Sequence, residues 1–129
     1  MPYVMIVDDA RDSVEPLATY LERKGYLVKV VADARQAMAE IIRNPPQVVL
    51  LDLLMPEMDG TMLLEVIRSH LPLQQLPVVV FTGAPDSPLV QRARDMNVNS
   101  VLTKGKASFP DVEAALRLAR HHVPGPPSV

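Results

Sequence analysis

Short apolar runs alternate along the chain with longer stretches in which apolar residues recur every three or four positions. Tyr3 to Val7 is a brief β-rich run, followed by the polar turn Asp8, Asp9 and Ala10 and a helical pattern from about Val14 to Lys24. A cap at Ser13 would put Pro16 at the third position inside that helix, where its missing N–H needs no intrahelical partner. Val28 to Val31 reads as a second strand. Asp33 then caps a helix carrying Ala34, Ala37, Met38, Ile41 and Ile42 on one broad apolar face. The run Gln47 to Leu51 lacks polar alternation, the signature of a strand buried on both faces of a parallel sheet. Beyond the turn Met55 to Gly60, Met62, Leu63, Val66 and Ile67 mark a third helix, and Val78 to Phe81 a fourth strand. Ser87 to Met96 predicts a short helix with Pro88 at its first internal position. Ser100 to Leu102 is a fifth strand, and Pro110 to His122 a last helix that packs through Val112, Ala115, Leu116 and Ala119.

Five β/α units at this spacing predict an α/β fold, a doubly wound five-stranded parallel sheet with helices on both faces. The 129 residues, 48% of them hydrophobic, suffice for one core and are too few for two. Most of the 13 prolines punctuate element boundaries. Residues 1–122 therefore read as one domain, and 123–129 as a proline-rich tail or the start of a linker. With 13 Lys and Arg against 15 Asp and Glu the net charge is -2, which disfavours a chain-wide basic surface. Arg92, Arg94, Lys104 and Lys106 could make a modest basic region, but no recognition-helix module accompanies them, so direct nucleic-acid contact is not expected. Zero cysteines exclude disulfides, thiolate nucleophiles, cysteine zinc sites and iron–sulfur clusters. His70, His121 and His122 stand at helix ends without ligand spacing. No signal-peptide pattern is apparent and no apolar run approaches the roughly 20 residues of a membrane span. A cytoplasmic chain without membrane insertion is expected.

Chemistry in such sheets gathers beyond the C-terminal ends of the strands. Asp8 and Asp9 follow the first strand, Asp52 the third, Thr82 the fourth and Lys104 the fifth. Each alone is ordinary, since aspartates cap helices and lysines solvate surfaces; together they bring three acids, a hydroxyl and an amine to one end of the sheet. Three close carboxylates repel unless neutralised, and a hard divalent cation with oxygen ligands relieves that. Mg2+ is the leading candidate, with Asp9 and Asp52 supplying oxygens, Asp8 holding a metal-bound water and the Leu54 backbone carbonyl as a further donor. Asp52 could then attack phosphorus to form an acyl phosphate, while Thr82 and Lys104 contact the transferred oxygens. Gly83 and Ala84 leave room beside Thr82. Met55, Pro56 and Gly60 shape the turn. A glycine-rich phosphate loop is missing after the first strand, which argues against nucleotide-binding folds. A haloacid-type phosphatase would place its nucleophile elsewhere and bring a cap domain.

Asp8-Asp9, the segment Asp52-Leu53-Leu54-Met55-Pro56-Glu57-Met58-Asp59-Gly60, Thr82-Gly83-Ala84 and Lys104 occur in the order and places of the response-regulator receiver domains of two-component signalling. From Pro2 to His122 the chain resembles that CheY-like family. The resemblance implies a flavodoxin-like strand order 2-1-3-4-5 and a phosphoryl group passed from a histidine-kinase phosphohistidine to Asp52 with Mg2+. It implies self-catalysed transfer and dephosphorylation rather than turnover of a separate substrate. A sensor histidine kinase or phosphotransfer protein would be the donor. An output domain beyond Val129, a separate protein or a second copy in a homodimer would be the receiver of the signal. Two positions depart from the family pattern. Gly105 follows Lys104 where proline is common, which makes a cis bond there unexpected. Val101 stands where many members carry an aromatic, so an aromatic-coupled switch is not expected. The Leu54 side chain would place an apolar group at the rim. The alternative is a receiver-like interaction module that works without phosphorylation.

Overall fold

The computed structural model describes residues 1–121. Five strands, β1 (Tyr3–Val7), β2 (Leu27–Val31), β3 (Val48–Leu51), β4 (Val78–Thr82) and β5 (Ser100–Thr103), alternate with five helices. These are α1 (Arg11–Arg23), α2 (Ala34–Arg43), α3 (Gly60–Ser69), α4 (Pro88–Arg94) and α5 (Phe109–His121), with a 3-10 turn at Leu71–Leu73. The sheet is parallel throughout and ordered β2-β1-β3-β4-β5, the order that the family resemblance implies.

The chain steps outward from β1 to β2, then reverses and moves from β3 to β5. Crossovers between parallel strands are right-handed, so reversing direction reverses the face on which the connecting helix lies. The core divides accordingly. Met5, Val7, Val49, Leu51, Val78 and Val80 pack under α2, α3 and α4, whereas Val4, Ile6, Val48, Leu50 and Val79 pack under α1 and α5. All four residues of β3 are buried, as its unbroken apolar run requires. The reversal opens a crevice between the ends of β1 and β3.

Caps explain most boundaries. Asp33 accepts from the backbone N–H groups of Arg35 and Gln36, and Ser87 accepts from Leu89 N with Pro88 at the first helical position. Helix α1 differs from expectation. Its cap position is Ala10 rather than Ser13, which instead donates its hydroxyl to the Ala10 carbonyl at 2.8 Å. The cause is upstream: Asp8 Oδ1 accepts from Ala10 N at 2.9 Å and turns the chain before Ser13 is reached. Pro16 is thereby the sixth residue of the helix, exposed, and it removes a bond to the Asp12 carbonyl. The apolar faces also shift. Ile42 is exposed on α2. On α3 the side turned to the core is Leu63, Leu64 and Ile67, and Met62 is exposed. Thr82 ends β4 instead of following it, paired with Thr103 of β5. His122 and the expected tail at 123–129 lie outside the described residues.

Arg68 ties three segments together on the α3–α4 side. Its guanidinium donates to the carbonyls of Met96 at 2.8 Å, Leu76 at 2.8 Å, Gln74 at 3.0 Å and Asn97 at 3.2 Å.

Candidate functional site

The crevice at the strand ends holds the predicted acids. The backbone ladder carries on past each strand, with Asp8 N donating to Val31 O at 3.0 Å and Asp52 N to Val7 O at 2.9 Å. Both aspartates are thus held at fixed height above the sheet. Asp8 and Asp52 are buried and Asp9 is exposed, yet one carboxylate oxygen from each lies within 4.8 Å of the others. No other group of three or more such ligands occurs among the described residues. Among the described residues the histidines take no part: His70 caps α3 and His121 ends α5, both exposed.

Lys104 reaches the cluster from β5. Its Nζ lies 2.6 Å from Asp8 Oδ2 and 3.6 Å from Asp52 Oδ2, so its primary partner is Asp8 rather than the proposed nucleophile. Among the described residues one ammonium thus stands against three carboxylates, paired with two of them. The Asp52 carboxyl is raised above its ordinary value of 3.8, mainly because burial strips its hydration; the charge of Asp8 adds to this and Lys104 opposes it. Asp52 Oδ1 also accepts from Leu54 N at 3.3 Å. The basic region anticipated around Lys104 is dispersed by these contacts, since Lys104 turns inward and Arg92 pairs with Glu65 at 3.2 Å.

The loops around the cluster are set by specific residues. Thr82 is fully buried, and its Oγ1 accepts from Ala84 N at 3.0 Å, which folds the loop back over the strand end. A Cβ added at Gly83 would meet no atom within 4 Å, so nothing in the packing demands glycine there. Gly60 is different. A Cβ there would stand 2.4 Å from the Asp52 carbonyl oxygen and 2.9 Å from Leu53 Cα, so its absence is what allows α3 to start against the end of β3. Between them Pro56 O accepts from Met58 N at 2.8 Å around Glu57, whose φ of 67° closes a tight γ-turn. Leu54 is 46% exposed at the rim.

After Lys104 the chain turns through Thr103 O accepting from Lys106 N at 3.1 Å, with Gly105 at φ 84°. Positive φ at the third position is what a type II turn requires and what proline cannot adopt. No cis peptide bond occurs among the described residues. Val101 is half-buried against the α2–α4 side of the core. An aromatic does reach the site from a position with no motif to single it out: Lys104 Nζ lies 5.8 Å from the centroid of Phe81. The Gly60 contact and the Asp59 cap were also missed. Asp59 had a readable signal, an acid directly before Gly-Thr, since it accepts from the backbone of Thr61 and Met62.

A family described as the response regulator receiver domain matches residues 4–122. The sensory transduction protein RegX3 of Mycolicibacterium smegmatis is 33% identical over 102 residues; the match takes in 79% of this chain and only 39% of that protein's length. A "Probable chemotaxis protein CheY" of Rhizobium etli is 32% identical over 102 residues, covering 78% of this chain and 79% of that one. The crystal structure of a sensor protein from Polaromonas sp. JS666 superposes with a TM-score of 0.84 at 26% identity, over 92% of this chain and 95% of that one. No helix among the described residues is long and apolar enough to cross a membrane.

Proposed function

The chain belongs to the response regulator receiver domain family, and from that footing we propose that it accepts a phosphoryl group on Asp52 in a two-component pathway of the cytoplasm. One observation carries the reading: a buried carboxylate at the end of the central strand β3, raised in pKa, flanked by two further carboxylates and a lysine. Such a donor set, hard oxygens short of positive charge, fits Mg2+, which Asp8, Asp9, Asp52 and the Leu54 carbonyl would hold. Bound there, the ion supplies the positive charge that lets one anion approach another.

The residues divide the remaining work. An Asp52 oxygen attacks phosphorus while the P–N bond of the donor phosphohistidine breaks toward the imidazole nitrogen, leaving an acyl phosphate on Asp52. Lys104, already 3.6 Å from Asp52, exchanges Asp8 for a phosphoryl oxygen. Thr82, whose Oγ1 accepts from Ala84 N, keeps its own proton free to donate to another phosphoryl oxygen. Gly83 and Ala84 keep that side open, Leu54 narrows the other, and hydrolysis later returns Asp52 and inorganic phosphate. A sensor histidine kinase or phosphotransfer protein is the donor. The altered surface acts on an output domain beyond Val129, a separate protein or a second copy.

Intact-mass spectrometry tests the reading. Incubation with acetyl phosphate and Mg2+ should add one phosphoryl group, about 80 Da, and Asp52→Ala should abolish the addition. An unmodified chain, under conditions where Mg2+ measurably raises its stability, would overturn the proposal.

A further inference from the structure

Lys104 is the one cation in the carboxylate cluster among the described residues, and an ammonium on a flexible four-carbon stem does not hold a position unaided. Its side chain is 27% exposed, so water competes for it. Three groups surround the Nζ: Asp8 at 2.6 Å, Asp52 at 3.6 Å and the ring of Phe81, with its centroid at 5.8 Å. Phe81 immediately precedes Thr82 on β4. It packs on the α1–α5 side of the sheet, where Leu102 and Ala107 also join the core. Strand and core thus hold the half-buried ring from below, and the ammonium stands over it. A cation at this range is attracted to an aromatic face, and the attraction grows as water is excluded.

We infer that Phe81 is a positioning residue, whose ring holds the Lys104 ammonium inside the carboxylate cluster between Asp8 and Asp52. The ring adds no charge and takes no proton; it favours the inward pose of Lys104 over the solvated ones. The functional use of that pose rests on the phosphoacceptor reading, while the pose itself does not. Loss of the ring should release Lys104 outward. Contacts of this class change an equilibrium by about two- to fivefold. A divalent cation would then meet less competition from the ammonium, so Mn2+ or Mg2+ should bind two- to fivefold more tightly. The phosphoryl oxygens would find Lys104 less often in place, so phosphorylation by acetyl phosphate at saturating Mg2+ should slow by a similar factor.

The test compares wild type with Phe81→Leu and Phe81→Tyr, each first checked for cooperative urea unfolding. NMR reads the contact directly: ring current should move the Lys104 ε-methylene protons upfield in wild type and Phe81→Tyr, and not in Phe81→Leu. Mn2+ and Mg2+ titrations and the acetyl phosphate rate should move in opposite directions in Phe81→Leu and stay at wild-type values in Phe81→Tyr. A general loosening of the site would instead weaken both together, and that outcome overturns the inference, as does a wild-type spectrum with no ring-current shift. If the wild type fails to gain phosphoryl mass, the phosphoacceptor reading falls while the spectrum and the metal titrations still decide the role of Phe81.

Discussion

Replacing Asp52 with asparagine keeps the side chain's size and its acceptor for Leu54 N, and removes one charge from the buried cluster. At an effective dielectric near 20, two carboxylates whose nearest oxygens lie within 4.8 Å repel by roughly 3.5 kcal/mol or more, and a lysine 3.6 Å away attracts by roughly 4.6 kcal/mol. Asp52 faces two such repulsions, from Asp8 and from Asp9, and one attraction. Water around exposed Asp9 screens part of its share, and burial costs Asp52 its own hydration. The net penalty on charged Asp52 is on the order of 1–2 kcal/mol, so Asp52→Asn should be the more stable protein without metal. The pH dependence follows from the direction of the shift. Because the folded carboxyl is raised above 3.8, the folded chain binds this proton more tightly than the unfolded chain does. Wild-type stability therefore falls as pH rises from the ordinary carboxylate value to the raised one, and stays lower above it. The variant lacks that fall. Its advantage should be full at neutral pH and vanish at pH below 3.8, where Asp52 is protonated in both states. With no tryptophan in the chain, urea unfolding is best followed by far-UV circular dichroism in EDTA. The midpoint should move up by about 0.5–1 M with an unchanged slope, and Mg2+ should shrink the gap by stabilising the wild type. A variant that unfolds at the same or lower urea in EDTA at pH 7, or an advantage that survives in acid, would refute the electrostatic reasoning.

Three other substitutions probe how the site is supported. Gly60→Ala puts a Cβ 2.4 Å from the Asp52 carbonyl and 2.9 Å from Leu53 Cα, both backbone, and should cost about 2–3 kcal/mol, read as a lower calorimetric midpoint. Arg68→Ala strands four backbone carbonyls and should cost about 2–4 kcal/mol. Faster amide exchange around Asn97 and Asn99 should accompany it, and Arg68→Lys should recover little because an ammonium lacks the planar fork. Gly105→Pro imposes a φ near −65° where the turn holds 84° and should cost about 1–3 kcal/mol in urea unfolding. It should also slow phosphorylation by displacing Lys104, whereas Gly105→Ala, strained only by the positive φ and with no atom within 4 Å of its Cβ, should cost about 1–2 kcal/mol.

The fold was legible because its signals are local. An unbroken apolar run before Asp52 cannot avoid being a doubly buried strand, and Asp33 or Ser87-Pro88 announces a helix start by its own chemistry. Locating strand ends located the acids too, since in a parallel sheet the residues just past the strands share one edge. The misplaced start of α1 has the same logic inverted. Asp8 reads as a ligand, and its second use, accepting from Ala10 N, carries no local signal because the N-cap position of α1 is an alanine without a side-chain cap bond.

What escaped the sequence are residues whose role exists only in the assembled fold. Gly60 sits in a turn that any small residue could serve; the demand for glycine comes from the Asp52 carbonyl that folding brings to 2.4 Å from where a Cβ would stand. Arg68 resembles any charged residue near a helix end, yet its four acceptors come from two loops up to 29 residues away. Lys104 could be assigned to the acids but not divided among them, and the division matters. Its 2.6 Å contact is with Asp8, leaving Asp52 the less neutralised of the two buried acids. That asymmetry suits the proposed chemistry, because a carboxylate held by a close ammonium would have to break that pair before attacking phosphorus. If it governs the rate, Lys104→Arg should slow phosphorylation more than the retained charge suggests, about tenfold or more, because a planar guanidinium would pair with Asp8 and Asp52 bidentately. A rate within twofold of wild type would mean that the charge alone matters and that the unequal pairing of the two aspartates has no part in the transfer.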